Sequence, residues 1–281
     1  MTLNGKTVLV TGAGRGIGRA ISLAHGEAGA HVVAAARNRK ELDNTTNAIR
    51  AAGGSADALV LDVLNREAVE AAIAALDAER GSLDVLINNH GAFAAIGPIW
   101  EVDPDDWWTD VEVGVRGTFN TCRAAVPGMR ERRRGHIINL IGGGTAAAMP
   151  MGSGYSTAKT GVMRFTECLA ETVRDAGITV IAMAPGLVRT AMTEYQMSSE
   201  AGQKYLPGVS NRFEEGDDLP PEKAADLSVD IALGKFDALT GRAVSARDDL
   251  DTLAARMDEF VEADRRTLRL PGFGPTMKPT D

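Results

Sequence analysis

A short β-branched run, Lys6-Thr7-Val8-Leu9-Val10, leads directly into Thr11-Gly12-Ala13-Gly14-Arg15-Gly16-Ile17-Gly18 and then a helical pattern from Arg19 to Gly29. Strand, glycine-rich turn and helix in that order form the first half of a dinucleotide-binding unit, which makes this stretch the tightest constraint on the fold. The glycines divide the work. Gly12 permits the tight turn, Gly16 lets backbone amides approach a pyrophosphate, and Gly18 lets the helix pack close to the sheet with its N-terminal dipole facing the anion. Arg15 and Ile17 lie in the same turn and count with these glycines as candidate cofactor contacts.

The second strand, His31 to Ala36, ends about 20 residues beyond the glycine turn, where a carboxylate would bind the adenosine ribose of NAD. Ala36 and Arg37 stand there instead. No negative charge repels a 2′-phosphate, and Arg37 with Arg15 offers a guanidinium clamp for one, so NADP(H) is expected over NAD(H).

Strand and helix then keep alternating. Helical patterns cover 38–52 and 66–80, and strands are expected at 56–61 and 83–87. Pro104 suits the first turn of a long helix over 105–129, and strands follow at 136–141 and 178–184. Short loops between such units imply an α/β fold: a Rossmann-type, doubly wound parallel sheet of about seven strands with helices on both faces. Between Met192 and Asp218 no clean period survives, so 191–219 is expected to be a substrate loop. Helices are expected at 221–233 and 248–268, with a short strand at 242–245 between them. Without a linker, repeat or low-complexity tract, residues 1–281 read as one domain, with 248–281 as its C-terminal helix and tail.

Composition removes several functions. A formal charge of -8 offers no basic patch for nucleic acid, and no stretch approaches the roughly 20 apolar residues of a membrane span. Neither a signal peptide nor metal-ligand spacing is present, so a cytoplasmic protein without a metal site is expected. Cys122 and Cys168 read as reduced core thiols.

The chemistry centres on Tyr155-Ser156-Thr157-Ala158-Lys159. On a helix, four-residue spacing sets the phenol and the ammonium on one face, one turn apart, where the cation favours the phenolate and makes an acid–base catalyst of the pair.

Together these landmarks resemble the short-chain dehydrogenase/reductase family, from Lys6 to about Asp249. The matching motifs are Thr11-Gly12-x-x-x-Gly16-x-Gly18, Asp62-Val63, Asn88-Asn89-x-Gly91, Tyr155-x-x-x-Lys159 and Pro185-Gly186-x-x-x-Thr190, in the family's order. The resemblance implies that Asp62 and Val63 meet the adenine and that Asn89 and Gly91 line the adenosine side. It further implies that Val188 and Thr190 hold the nicotinamide carboxamide and a phosphate, that Pro185 and Gly186 belong to the same cofactor site, and that Lys159 also bonds the nicotinamide ribose. A homodimer or homotetramer is implied in the same way.

The family's serine, thirteen residues before the tyrosine, falls on Gly142, and its asparagine, three residues before a glycine, falls on Gly114. His90 replaces the alanine of the Asn-Asn-Ala-Gly pattern. Three readings follow: an NADP-dependent oxidoreductase in which Ser153, Thr145, His90 or water replaces the serine; a redox-neutral dehydratase, isomerase or cyclase; and a nucleotide-binding protein without turnover. The first is favoured, and the intact tyrosine–lysine pair counts against the third. The glycines at 142–144 are expected to enlarge the pocket beside Tyr155, whether for a bulky, apolar substrate or through relaxed selection, with Met149, Met151, Met183, Met192 and Met197 as candidate lining of an apolar site. Trp107 and Trp108 are expected to pack the long helix.

Overall fold

A computed structural model describes residues 2–270. Its strands are β1 (Thr7–Thr11), β2 (His31–Ala36), β3 (Ser55–Val60), β4 (Val85–Asn88), β5 (Gly135–Leu140), β6 (Ile178–Ala184) and β7 (Ala243–Ser245). They form one parallel sheet in the order β3-β2-β1-β4-β5-β6-β7. The helices between them are α1 (Gly16–Glu27), α2 (Arg39–Ala51), α3 (Arg66–Arg80), α4 (Pro104–Val111), α5 (Gly117–Arg132) and α6 (Ser153–Thr172). Beyond β6 come α7 (Ala191–Ser198), α8 (Glu200–Tyr205), α9 (Pro207–Glu214) and α10 (Pro221–Ala232), with α11 (Leu250–Ala255) and α12 (Met257–Glu262) after β7.

Two-residue alternation along each strand decides which helix covers which face. Val8, Val10, Ile138, Leu140, Ile181 and Met183 point into one core with Ile21 of α1, Leu42 and Ile49 of α2, and Leu227 and Ile231 of α10. Leu9, Val33, Leu86, Ile137 and Val180 point the other way, onto Ile73 of α3, Met129 of α5 and Ala170 of α6. The strand order reverses between β1 and β4, which places a crevice at their carboxyl ends, the position where open α/β sheets bind ligands. Polar groups also cross the second core. Asn88 donates to Asn139 Oδ1 at 2.8 Å and accepts from Thr121, while Asn139 donates to Thr166, locking the ends of β4 and β5 to α5 and α6.

Three expectations are corrected. The expected substrate loop at 191–219 contains three helices, each of six to eight residues. Helices that short show no sequence period, but their starts are signalled: Thr190 and Thr193 form a capping box, Ser199 caps α8, and Pro207 opens α9. The expected helix over 248–268 breaks at Arg256 into α11 and α12, which lets Leu253, Met257 and Phe260 reach the first core. The remainder of the tail, 271–281, lies outside the described residues. Cys122 is a buried thiol as expected, whereas Cys168 is exposed on the outer face of α6.

The long helix expected over 105–129 runs from Pro104 to Arg132, with a π-helical turn at Glu112–Arg116 that contains Gly114. Among the described residues, no helix is long and apolar enough to cross a membrane.

Candidate active site

A cleft of about 780 Å³ opens at the carboxyl ends of the strands. Its floor is the glycine turn between β1 and α1. A Cβ on Gly18 would collide with the Gly12 carbonyl and the Asn89 side chain, and Gly16, at a φ of 54°, lies against Thr190. Bulk at either position would fill the cradle, so the turn fits a dinucleotide pyrophosphate brought close to backbone amides at the N-terminus of α1. Asn89 braces it, donating through Nδ2 to the Thr11 and Gly12 carbonyls at 3.0 and 3.2 Å.

At one end the cleft is lined by Arg15, Arg37, Asp62 and Val63, together with Asn38, Arg39 and Glu41, which the sequence reading did not single out. Asn38 caps α2 by accepting from the Glu41 amide, so a helix N-terminus also faces this end. Arg15 pairs with Glu41 at 3.6 Å and Arg39 with Asp43 at 2.8 Å. Arg37 makes no ion pair or side-chain hydrogen bond among the described residues.

At the other end lie Tyr155 and Lys159. Both project from the first two turns of α6, and Lys159, 5% exposed, donates to the Leu140 carbonyl at the end of β5 at 2.9 Å. Its ammonium stands 5.7 Å from the centroid of the Tyr155 ring, and burial lowers its pKa to about 8. The expected depression of the phenol is not found. Burial, and then the charge of Asp110, push Tyr155 up to about 12. A Cβ on Gly91 would lie 3.4 Å from the Lys159 Nζ, which sets Gly91 at this end rather than on the adenosine side.

Of the expected cofactor contacts, Gly12, Arg15, Gly16, Ile17, Gly18, Arg37, Asp62, Val63, Asn89, Gly91, Tyr155, Lys159, Pro185 and Thr190 line this one cleft. Gly186 and Val188 do not. Gly186 packs under Leu219, and Val188 is buried with its carbonyl taking the Thr193 hydroxyl.

The glycines at 142–144 leave no cavity, contrary to expectation. A Cβ on Gly142 would meet the Tyr155 hydroxyl, one on Gly143 the Met149 methyl, and one on Gly144 the Ser156 side chain. Neighbours already fill each space. The suggested substitutes for a serine hydroxyl are held differently: Thr145 has its proton committed, whereas Ser153 accepts a bond and keeps its own O–H. Thr145 donates to the Gly142 carbonyl at 2.7 Å, and Ser153 accepts from the Trp107 indole at 3.0 Å. His90 is engaged by Thr11 at 2.7 Å and held neutral, its pKa lowered to about 3 by burial and the nearby Lys159 charge. Trp107 thus pins α4 to α6, while Trp108 is 58% exposed. Sequence reasoning also missed Phe93, whose ring stacks on Tyr155 with centroids 4.6 Å apart and planes 7° apart.

A dinucleotide cradle and a tyrosine–lysine pair in one cleft of a doubly wound sheet define an NAD(P)-dependent oxidoreductase. Residues 6–201 match the family model for short chain dehydrogenase, and the chain belongs to that family. It is 31% identical over 274 residues to the short chain dehydrogenase mpl6 of Monascus purpureus, covering 95% of this chain and 89% of that one. Among solved structures, a gluconate 5-dehydrogenase from Burkholderia cenocepacia in complex with NADP and tartrate superposes with a TM-score of 0.78 at 28% identity, covering 89% and 97% of the two chains. An NAD+-bound xylitol dehydrogenase superposes at 0.80, with 25% identity and 87% and 98% coverage.

Proposed function

We propose that the protein is an NADP(H)-dependent oxidoreductase that interconverts a carbonyl and an alcohol, with Tyr155 as proton donor and acceptor. The observation that carries this reading is the single cleft holding the glycine turn and Arg37 at one end and Tyr155 with Lys159 at the other. Similar structures hold NADP in one case and NAD+ in another, so the choice of nucleotide rests on this chain's own residues. Ala36 carries no charge to repel a 2′-phosphate, and Arg37 and the capped N-terminus of α2 supply positive potential for one.

The bound nicotinamide would supply or accept the hydride. Tyr155 passes its phenolic proton to the substrate oxygen in reduction and recovers one in oxidation. Lys159, fixed by the Leu140 carbonyl, holds positive charge beside the ring that stabilises the negative charge left on the phenolate as its proton departs. Gly142 and Gly114 take the places of the family's serine and asparagine, and the phenol is the side chain that polarises the substrate oxygen in this reading.

Purified protein should be titrated with NADPH and NADH by calorimetry, then incubated with NADPH and a carbonyl panel, following nicotinamide absorbance and product mass together. Cofactor consumption matched to a gain of two hydrogens in product supports the reading. A change in product mass without cofactor consumption would replace it with redox-neutral acid–base chemistry.

A further inference from the structure

Asp110 is a carboxylate in the wrong place for an ordinary helix residue. It closes α4, is 1% exposed, and has no cationic partner among the described residues. Its Oδ1 accepts from the Ala94 amide at 2.7 Å and its Oδ2 from the Ala95 amide at 3.2 Å. Those two amides belong to the segment after β4, immediately beyond Phe93, the ring stacked on Tyr155. A buried charge costs several kcal/mol unless hydrogen bonds satisfy it, so such a residue persists where it organises its surroundings. The surroundings are shaped to it. A Cβ on Gly154, in the first turn of α6, would lie 3.2 Å from Asp110 Oδ2, and one on Gly152 would overlap Phe93. The positive end of the α6 dipole therefore also faces the carboxylate.

We propose that Asp110 is a positioning residue of the reaction: by tying residues 94 and 95 to α4, it fixes the Phe93 ring against the Tyr155 phenol and sets a negative charge behind it. This rests on Tyr155 being the proton-transfer group. Its consequence is directional. The charged groups bearing on Tyr155 are Lys159 on its own helix and Asp110 on α4; the neutral His90 after β4 lies near Lys159, and Asp106 on α4 adds to burial in raising the Asp110 pKa. With Lys159 engaged by Leu140, the Asp110 charge adds to burial in opposing phenolate formation and so favours the protonated phenol.

Two variants separate the tie from the charge. Asp110→Asn keeps one acceptor for the loop amides and removes the charge; Asp110→Ala removes both. Hydrogen–deuterium exchange of the peptide spanning Phe93 to Ala95 reads the tie without any substrate. Exchange should rise at least tenfold in Asp110→Ala and less in Asp110→Asn, with thermal melting confirming that both fold. The pH profile of kcat reads the charge. In Asp110→Asn the limb assigned to Tyr155, identified by its loss in Tyr155→Phe, should move to lower pH, as follows from removing a group that raises the phenol. Unchanged exchange in Asp110→Ala would overturn the tie, and an unmoved limb in active Asp110→Asn would overturn the electrostatic role. If wild type turns over no substrate of the carbonyl panel, the function reading fails by itself, and the exchange result still decides whether Asp110 holds the segment.

Discussion

Replacing Gly142 with serine tests whether the chain is a damaged reductase or one built around a different arrangement. A Cβ at Gly142 would lie 2.3 Å from the Tyr155 hydroxyl and 3.3 Å from its Cζ, while real Cβ contacts essentially never fall below 3.0 Å. The two must therefore separate by at least about 0.7 Å, the difference of those limits, and by about 1 Å to reach an ordinary contact. Tyr155 cannot yield sideways without breaking its stack on Phe93, so it must retreat from the reacting oxygen. A misplacement of ~1 Å costs on the order of 10²-fold in rate, about 2.7 kcal/mol of barrier, which offsets most of the ~10² to 10³ that an added hydroxyl donor could return. Backbone strain plays no part. Gly144, not Gly142, is the glycine of this loop with a positive φ, at 82°. Gly142→Ala carries the bulk without the hydroxyl and should lose roughly 10²-fold in kcat. Gly142→Ser should fall between Ala and wild type, with no net gain. Steady-state NADPH oxidation with a small ketone and with the best substrate of the panel, alongside thermal melting, measures all three. A clear gain for Gly142→Ser on both substrates, with Gly142→Ala unimpaired, would refute the argument by showing that the hydroxyl of Tyr155 does not need that space.

Tyr155→Phe keeps the stack on Phe93 and should retain nucleotide binding by calorimetry while kcat drops by ~10² to 10⁴. Arg37→Ala should remove most of any preference for NADPH over NADH, and equal affinities in the unaltered protein would dispose of the 2′-phosphate clamp. Gly18→Ala drives a methyl into the Gly12 carbonyl and should abolish nucleotide binding with a lowered Tm; unchanged binding would contradict the cradle. Acid lability should begin early, because His25 and His90 are both held neutral, with pKa values of about 3, by burial. Their folded pKa lies below the unfolded ~6.5, so the stability they confer is complete above about pH 6.5 and is lost as pH falls towards 3, at up to ~1.4 kcal/mol per unit for each. A Tm that stays flat between pH 7 and 5, above most carboxylate titration, would count against it.

The sheet was legible because its rules are local. Alternating apolar residues, β-branched runs and glycine breaks mark β1, β2, β4, β5 and β6 in the chain itself, and parallel strands joined by helices leave little topological choice. The nucleotide end was legible for the same reason, since its glycines and Arg37 lie within one strand–turn–helix unit and the strand after it. The catalytic end was only half legible. Tyr155 and Lys159 announce themselves by four-residue spacing, whereas what surrounds them comes from far along the chain: Phe93 from after β4, Asp110 from α4, Leu140 from β5. In sequence, Asp110 follows Asp103, Asp105 and Asp106 and reads as one more polar residue on a solvated helix. Only the fold reveals that the first three begin the helix while the fourth turns inward.

The same distance misleads at Gly142. Read alone, a glycine where the resemblance leads one to expect a serine is a deletion, and three glycines in a row look like empty space. Gly142, Tyr155 and Phe93 instead form one packing unit, in which the phenol occupies the room that a side chain at 142 would need and Phe93 holds it there. A glycine at 142 is therefore a condition for this position of Tyr155. Its replacement has to be judged by where the phenol goes, not by what the new hydroxyl adds.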